Sequence, residues 1–240
     1  MSSLLCLRLL FIPVQAVCVQ YTFTPPTKAP PPGEQDKYET IKRFQFGESG
    51  FNIIQATAVV KYMTWAVNIW EFVTILTHLF PTTVYRLPHF KTALELDVDF
   101  ASSVAGALLL VSAAILRVSA YRHLGRFFTY QLSIRNGHKL VKDGPYSIMR
   151  HPSYTALVAF FVGNAWYQLG PGSIWMRRGL WSSSLLMSFS VVHVCLAAYV
   201  SFVVTVLRVP KEDRMLKKQF REEWEAWSKK TPYRLLPLVY

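Results

Sequence analysis

Two stretches gather most of the side chains able to do chemistry: "HKLVKDGPYSIMRHPSY" (138–154) and "RVPKEDRML" (208–216). With Gln131 just upstream, the first supplies His138, Tyr146, Arg150, His151, Ser153 and Tyr154. Its two histidines stand thirteen apart with no third ligand at metal spacing, a poor pattern for zinc. Neither a phosphate-binding glycine loop nor a GxGxxG fingerprint occurs, so a Rossmann-type cofactor domain is not supported. In the second stretch Arg208 and Glu212 are four apart and share one face of a helix. Pro210 between them fits a first helical turn. On spacing alone that pair reads as an interfacial arginine with a solvated partner. It becomes a site only if the fold brings the first stretch alongside.

The elements that would do so are apolar. Of 240 residues 52% are hydrophobic and only 17% charged, against about 25% charged in soluble domains. With a positive mean hydropathy this indicates an integral membrane protein. A net charge of +12 admits nucleic-acid binding as a rival, but no basic stripe lies outside the flanks of apolar segments, so no nucleic-acid partner is expected. Cys6, Cys18 and Cys195 all sit in apolar runs without metal spacing and are expected to be buried thiols, so no metal site is expected.

Residues 1–20 are apolar with one Arg and one Pro, and are taken as a first membrane helix, since no small-x-small cleavage site follows as a signal peptide would require. The Pro-rich stretch 24–33 cannot be helical. Residues 51–80 are long enough to span, and Lys61 and Glu71 within them should face protein rather than lipid. Residues 100–120 are a cleaner span with small residues suited to close packing. Residues 154–170 and 180–207 form a hairpin through the turn "GPGS", and 208–240 read as a helix with charged faces. Segments 21–50, 121–153 and 208–240 carry four, six and nine Lys or Arg, whereas 81–99 and 171–179 carry two each. Five spans with the N-terminus outside put every rich segment on the cytoplasmic side. The predicted fold is therefore all-α, a polytopic bundle of about five transmembrane helices. Its cytoplasmic site would be built from the flanks of the last hairpin. Residues 1–120 form the N-terminal membrane helices with the Pro-rich loop, and 121–240 the region that would do the chemistry.

The stretch 138–154 resembles the H-x-L-V-x-x-G-x-Y-x-x-x-R-H-P-x-Y motif of the isoprenylcysteine carboxyl methyltransferase family, and 208–216 is similar to its R-x-x-x-E-x-x-x-L. The two blocks cover about residues 131–240, separated by one hairpin; the N-terminal half matches only in hydropathy and in its Pro-rich loop. Ala156 stands where the family usually has Gly, and "GPGS" where Asn-Pro is common. The resemblance implies S-adenosyl-L-methionine as cofactor. It would be held by Gln131, by His138, Lys139, Leu140 and Val141, by Tyr146, by His151, Pro152, Ser153 and Tyr154, and by Glu212. Arg208 would face the substrate carboxylate as the catalytic, substrate-binding residue.

The activity so implied is methyl esterification of the C-terminal carboxylate of prenylated cysteine. Prenylated protein C-termini would be the partners, in a multi-pass protein of the endoplasmic reticulum membrane with lipid around it. A membrane methyltransferase acting on a phospholipid amine or another small lipid is the alternative within enzymes. Such an acceptor would prefer an acidic or aromatic pocket over Arg208. A scaffold or transporter using Lys61 and Glu71 leaves the polar density of 131–154 unexplained. Arg150 is left open between touching ligand and anchoring its helix.

Overall fold

The computed structural model describes residues 2–24, 26–27, 53–80, 100–130, 133–170 and 184–238. Gln131, most of the Pro-rich stretch 24–33, the connectors 81–99 and 171–179 and, beyond Gly170, the "GPGS" turn lie outside the described residues. The apolar runs form helices α1 (Ser2–Phe23), α2 (Ile53–Leu79), α3 (Phe100–Leu124), α4 (Pro152–Leu169) and α5 (Ser184–Phe202). A π-helical stretch, Val203–Arg208, continues α5 into α6 (Val209–Lys230). There is no strand among the described residues.

Three helical stretches are long and apolar enough to cross a membrane by length and composition: Cys6–Phe23, Phe100–Phe127 and the stretch that begins at Met187. Helices α2 and α4 carry Thr64, Asn68, Glu71, Asn164 and Gln168, all turned into the protein. Outward, by contrast, the bundle shows Leu10, Val17, Ile69, Leu108, Ile115, Val162 and Val191. Exposed apolar side chains around a polar-lined interior suit a lipid surround. The protein is an all-helical, multi-pass membrane protein. Of the three cysteines only Cys18 is buried; Cys6 and Cys195 are exposed, because apolar helix faces in such a bundle can look outward as well as inward.

Glycines let α3 and α4 touch backbone to backbone. A Cβ on Gly106 would sit 2.9 Å from the Tyr167 amide nitrogen, and one on Gly163 would sit 3.0 Å from that of Leu110. Close approach of this kind is how small residues drive helix association in lipid. Helix α1 packs on α2 and α3, and α2 on α5. Ala156 is fully buried at the start of α4.

Polar groups tie the end of the bundle where α4 finishes. Arg8 of α1 pairs with Glu71 of α2, and donates to Ser103 Oγ at 3.3 Å and the Tyr167 carbonyl at 3.1 Å. Lys61 donates instead to Thr24 Oγ1 at 2.9 Å, so Glu71 finds its cation in Arg8 and not in the lysine of its own helix. At the other end, about 20 Å away along α3 at 1.5 Å per residue, the chemistry-bearing residues converge.

Candidate functional site

The close packing of α3 on α4 lets Arg117, buried in α3, reach the head of α4. Its Nη1 donates to Ser153 Oγ at 2.6 Å, and its Nε to the Thr22 carbonyl at 3.3 Å, joining α1, α3 and α4. Pro152 opens α4, where its missing N–H costs nothing. Ahead of it, Gly144 starts a 3₁₀ turn with φ +56°; a Cβ there would fall 2.1 Å from the His123 ring. That turn buries Tyr146, whose ring packs with Ala120, Leu140 and Trp227. Trp227 comes from the far part of α6, past a break in helical geometry at Arg221, and donates its indole N–H to the Tyr146 carbonyl at 3.1 Å.

A cavity opens between these elements, about 990 Å³ when counted out to its mouth. Among its lining residues are His138, Leu140, Val141, Tyr146, His151, Ser153, Tyr154, Arg208 and Glu212, together with Phe127, Tyr130 and Arg150. Thus nine of the sequence-predicted site residues meet in one place. Lys139 is exposed and Pro152 buried, and neither lines the cavity.

Tyr154 joins the two sequence blocks. Its hydroxyl donates to Glu212 Oε2 at 2.6 Å and accepts from Arg208 Nε at 2.6 Å. Arg208 and Glu212 are therefore bridged through a phenol from α4, not paired directly in solvent as their spacing first suggested. Arg208 Nη2 also donates to the Tyr130 carbonyl. The Nε–Nη2 edge of the guanidinium is thus engaged by the protein, and Nη1 makes no hydrogen bond among the described residues. The π-helical turn ending at Arg208 sets this direction, and such turns are frequent at functional sites.

His138 stacks on Phe127 at 4.6 Å and meets the edge of Phe220 at 5.7 Å. Its buried Nδ1 has no hydrogen-bond partner among the described residues. Burial holds this imidazole below its ordinary pKa; Glu212 pulls the other way and Arg135 lowers it further. Burial likewise raises the Tyr146 phenol well above its usual range, with Glu212 and Tyr154 adding to the effect. Around neutral pH both rings are neutral. Asp213 behaves oppositely: burial alone would raise its carboxyl, but the hydrogen bond from His151 and the charges of His151, Arg150 and Arg234 outweigh that and hold it low.

Sequence reasoning left Arg150 open and passed over Arg117, Tyr130, Asp213 and Trp227. Arg150 serves as an anchor: Nη2 reaches Asp213 Oδ2 at 3.3 Å, Nη1 donates to the Thr231 carbonyl at 3.3 Å, and its plane lies 5.6 Å from Trp224. Arg117 did carry a signal, being a lone cation within an apolar run.

Compared with known proteins, residues 106–171 match the model of the isoprenylcysteine carboxyl methyltransferase (ICMT) family. That segment runs from Gly106 through the whole of α4; Arg208 and Glu212 lie beyond it. The chain is 30% identical over 129 residues to protein-S-isoprenylcysteine O-methyltransferase B of Arabidopsis thaliana, covering 53% of this chain and 55% of that protein. It therefore spans about half the length of that relative. A probable protein-S-isoprenylcysteine O-methyltransferase of Oryza sativa subsp. indica is 27% identical over 149 residues, 60% of this chain and 68% of the relative.

Proposed function

We propose that the chain is a member of the isoprenylcysteine carboxyl methyltransferase family, whose model residues 106–171 match, and that it transfers a methyl group from S-adenosyl-L-methionine to the C-terminal carboxylate of prenylated cysteine in proteins. The observation that carries the reading is the guanidinium of Arg208, fixed by Tyr154 and Tyr130 at the cavity that the 138–154 motif lines.

The cavity's chemistry fits this cofactor. His138 Nδ1, buried and without a partner among the described residues, suits a nucleobase edge. Glu212, with a side chain 26% exposed, suits ribose hydroxyls or an α-ammonium. The neutral faces of Tyr146 and Tyr154 suit a cation. The holding set comprises Gln131, His138, Lys139, Leu140, Val141, Tyr146, His151, Pro152, Ser153, Tyr154 and Glu212, with Lys139 contributing its backbone. When bound, the cofactor supplies a methyl group on a sulfonium, already activated for transfer.

The rest is positioning. A C-terminal carboxylate has a pKa of about 3.3–3.7 and is ionised at neutral pH, so no general base is required. Arg208 grips it through the planar end of the guanidinium, a geometry lysine lacks. Tyr154 binds both Arg208 and Glu212, so the acceptor holder and a cofactor holder share one rigid link. Alignment of this kind can supply several kcal/mol, about 7–11 for the best intramolecular cases.

A membrane fold suits the substrate. Each buried methylene of a prenyl chain contributes about 0.8 kcal/mol, which keeps a prenylated tail in lipid. The basic flanks 121–153 and 208–240 favour a site on the cytoplasmic side, and the endoplasmic reticulum is the membrane in which the protein would act. Membranes containing the protein should transfer labelled methyl from the cofactor to N-acetyl-S-farnesylcysteine as a base-labile ester. Base-stable label on lipid amines would replace this reading with amine methylation, and no transfer would end both.

A further inference from the structure

Asp213 does not line the cavity, yet three cationic or imidazole side chains converge on it. It is 5% exposed. Its Oδ1 accepts from His151 Nε2 at 2.9 Å, and its Oδ2 lies 3.3 Å from Arg150 Nη2 and 3.2 Å from Arg234 Nε. Those partners come from two separate parts of the chain. Arg150 and His151 end the motif before α4, and Arg234 belongs to the segment that follows α6. Backbone pairing docks that segment on the motif: the amides of Arg150 and His151 donate to the carbonyls of Tyr233 and Arg234, each at 2.9 Å. Thr155 Oγ1 adds a bond to the Leu235 carbonyl at 2.9 Å.

A buried carboxylate is tolerable only when its oxygens are used, and here both are. His151 thereby has its Nε2 committed to Asp213. The opposite edge of the ring, carrying Nδ1, lies 4.0 Å from Glu212 Oε1, and His151 lines the cavity. Resting on the cofactor reading above, we propose that Asp213 is a positioning residue for cofactor binding. By accepting from Nε2 it sets the plane and rotation of the His151 ring, so that the Nδ1 edge faces the cavity beside Glu212. By pairing with Arg150 and Arg234 it locks residues 231–235 against the motif. It touches neither cofactor nor substrate and acts through His151, whose backbone the 231–235 segment also holds by the bond from its amide to the Arg234 carbonyl.

The test is calorimetric binding of S-adenosylhomocysteine to the full chain in detergent, with thermal unfolding followed in parallel. Asp213→Ala should weaken binding by about tenfold to a hundredfold, the range for losing a charge-assisted hydrogen bond. Because the effect passes through His151, Asp213→Ala combined with His151→Gln should bind no more weakly than His151→Gln alone. Asp213→Asn keeps an oxygen for His151 and should bind better than Asp213→Ala. Should Asp213→Ala fail to fold, Asp213→Asn and Arg234→Gln carry the test, since each loosens the cluster without emptying it; both should weaken binding in the same direction. Wild-type affinity in these variants, or independent multiplicative effects of Asp213→Ala and His151→Gln, would overturn the proposal even if the unfolding temperature falls. A wild-type protein that binds no S-adenosylhomocysteine would instead bring down the cofactor reading, and this inference with it.

Discussion

Replacing Glu71 by Ala should destabilise the protein more than any surface substitution, because of what it leaves behind. Arg8 is 1% exposed and donates through all three nitrogens: Nε to Glu71, Nη1 to Ser103 and Nη2 to the Tyr167 carbonyl. Its guanidinium also lies 4.7 Å from the Tyr167 ring. Of these partners only Glu71 carries a negative charge. Removing it strands a buried cation, and breaking such a pair from one side costs about 3–5 kcal/mol. At about 2–4 °C per kcal/mol for a protein of this size, the unfolding midpoint should drop by about 6–20 °C. Arg8→Met with Glu71→Leu should recover most of this, since well-packed apolar replacements of a buried pair are often neutral or stabilising by about 1–4 kcal/mol. Lys61→Met, which loses an exposed bond to Thr24 and a contact 6.0 Å from the Tyr62 ring, should stay within about 0.5 kcal/mol of the parent. The assay is tryptophan-monitored thermal unfolding in detergent. A loss below about 1 kcal/mol in Glu71→Ala, or a double variant as unstable as the single, would refute the reasoning.

Arg208→Lys keeps the charge but gives up the planar fork, and methyl transfer should fall by about a hundredfold with S-adenosylhomocysteine affinity retained; equal losses in both would remove Arg208 from the acceptor side. Because burial holds His138 below the ordinary imidazole value near 6.5, its contribution is complete above that pH and is lost as pH falls through the folded value. Cofactor-product affinity should therefore hold above about pH 6.5 and weaken as pH falls below it, with a flatter profile in His138→Gln, while Asp213 is held low by its partners. Gly106→Val should push α4 off α3, since even a Cβ would meet the Tyr167 backbone at 2.9 Å, and should cost about 1–3 kcal/mol in the same unfolding assay.

Much of the site was legible before the fold. The motif 138–154 and the Arg208–Glu212 pair are local patterns, and the hairpin between them brings both to one end of the bundle. What could not be read locally is how they connect. The Tyr154 hydroxyl bridging Arg208 and Glu212 depends on the rotation imposed by the π-helical turn Val203–Arg208, and nothing in "VVTVLR" announces a π-turn. Arg8 as the partner of Glu71 was equally hidden, because the pair spans 63 residues and two helices. Lys61, ten residues from Glu71 on the same helix, looked nearer only in sequence. Asp213 was masked by its neighbour: Glu212 satisfied the motif, and the adjacent carboxylate on the other side of the helix read as solvated charge. The small residues of 100–120, by contrast, did announce close packing, and Gly106 delivers it against α4.

The most direct test locates the transferred methyl. A farnesylated peptide ending in free cysteine, incubated with the protein and S-adenosyl-L-methionine, should gain one methyl group, and tandem mass spectrometry should find it on the C-terminal carboxyl. The same peptide amidated at its C-terminus should gain none. A methyl group on any other atom, or equal labelling of the amidated peptide, would contradict a site built around Arg208 to hold a carboxylate.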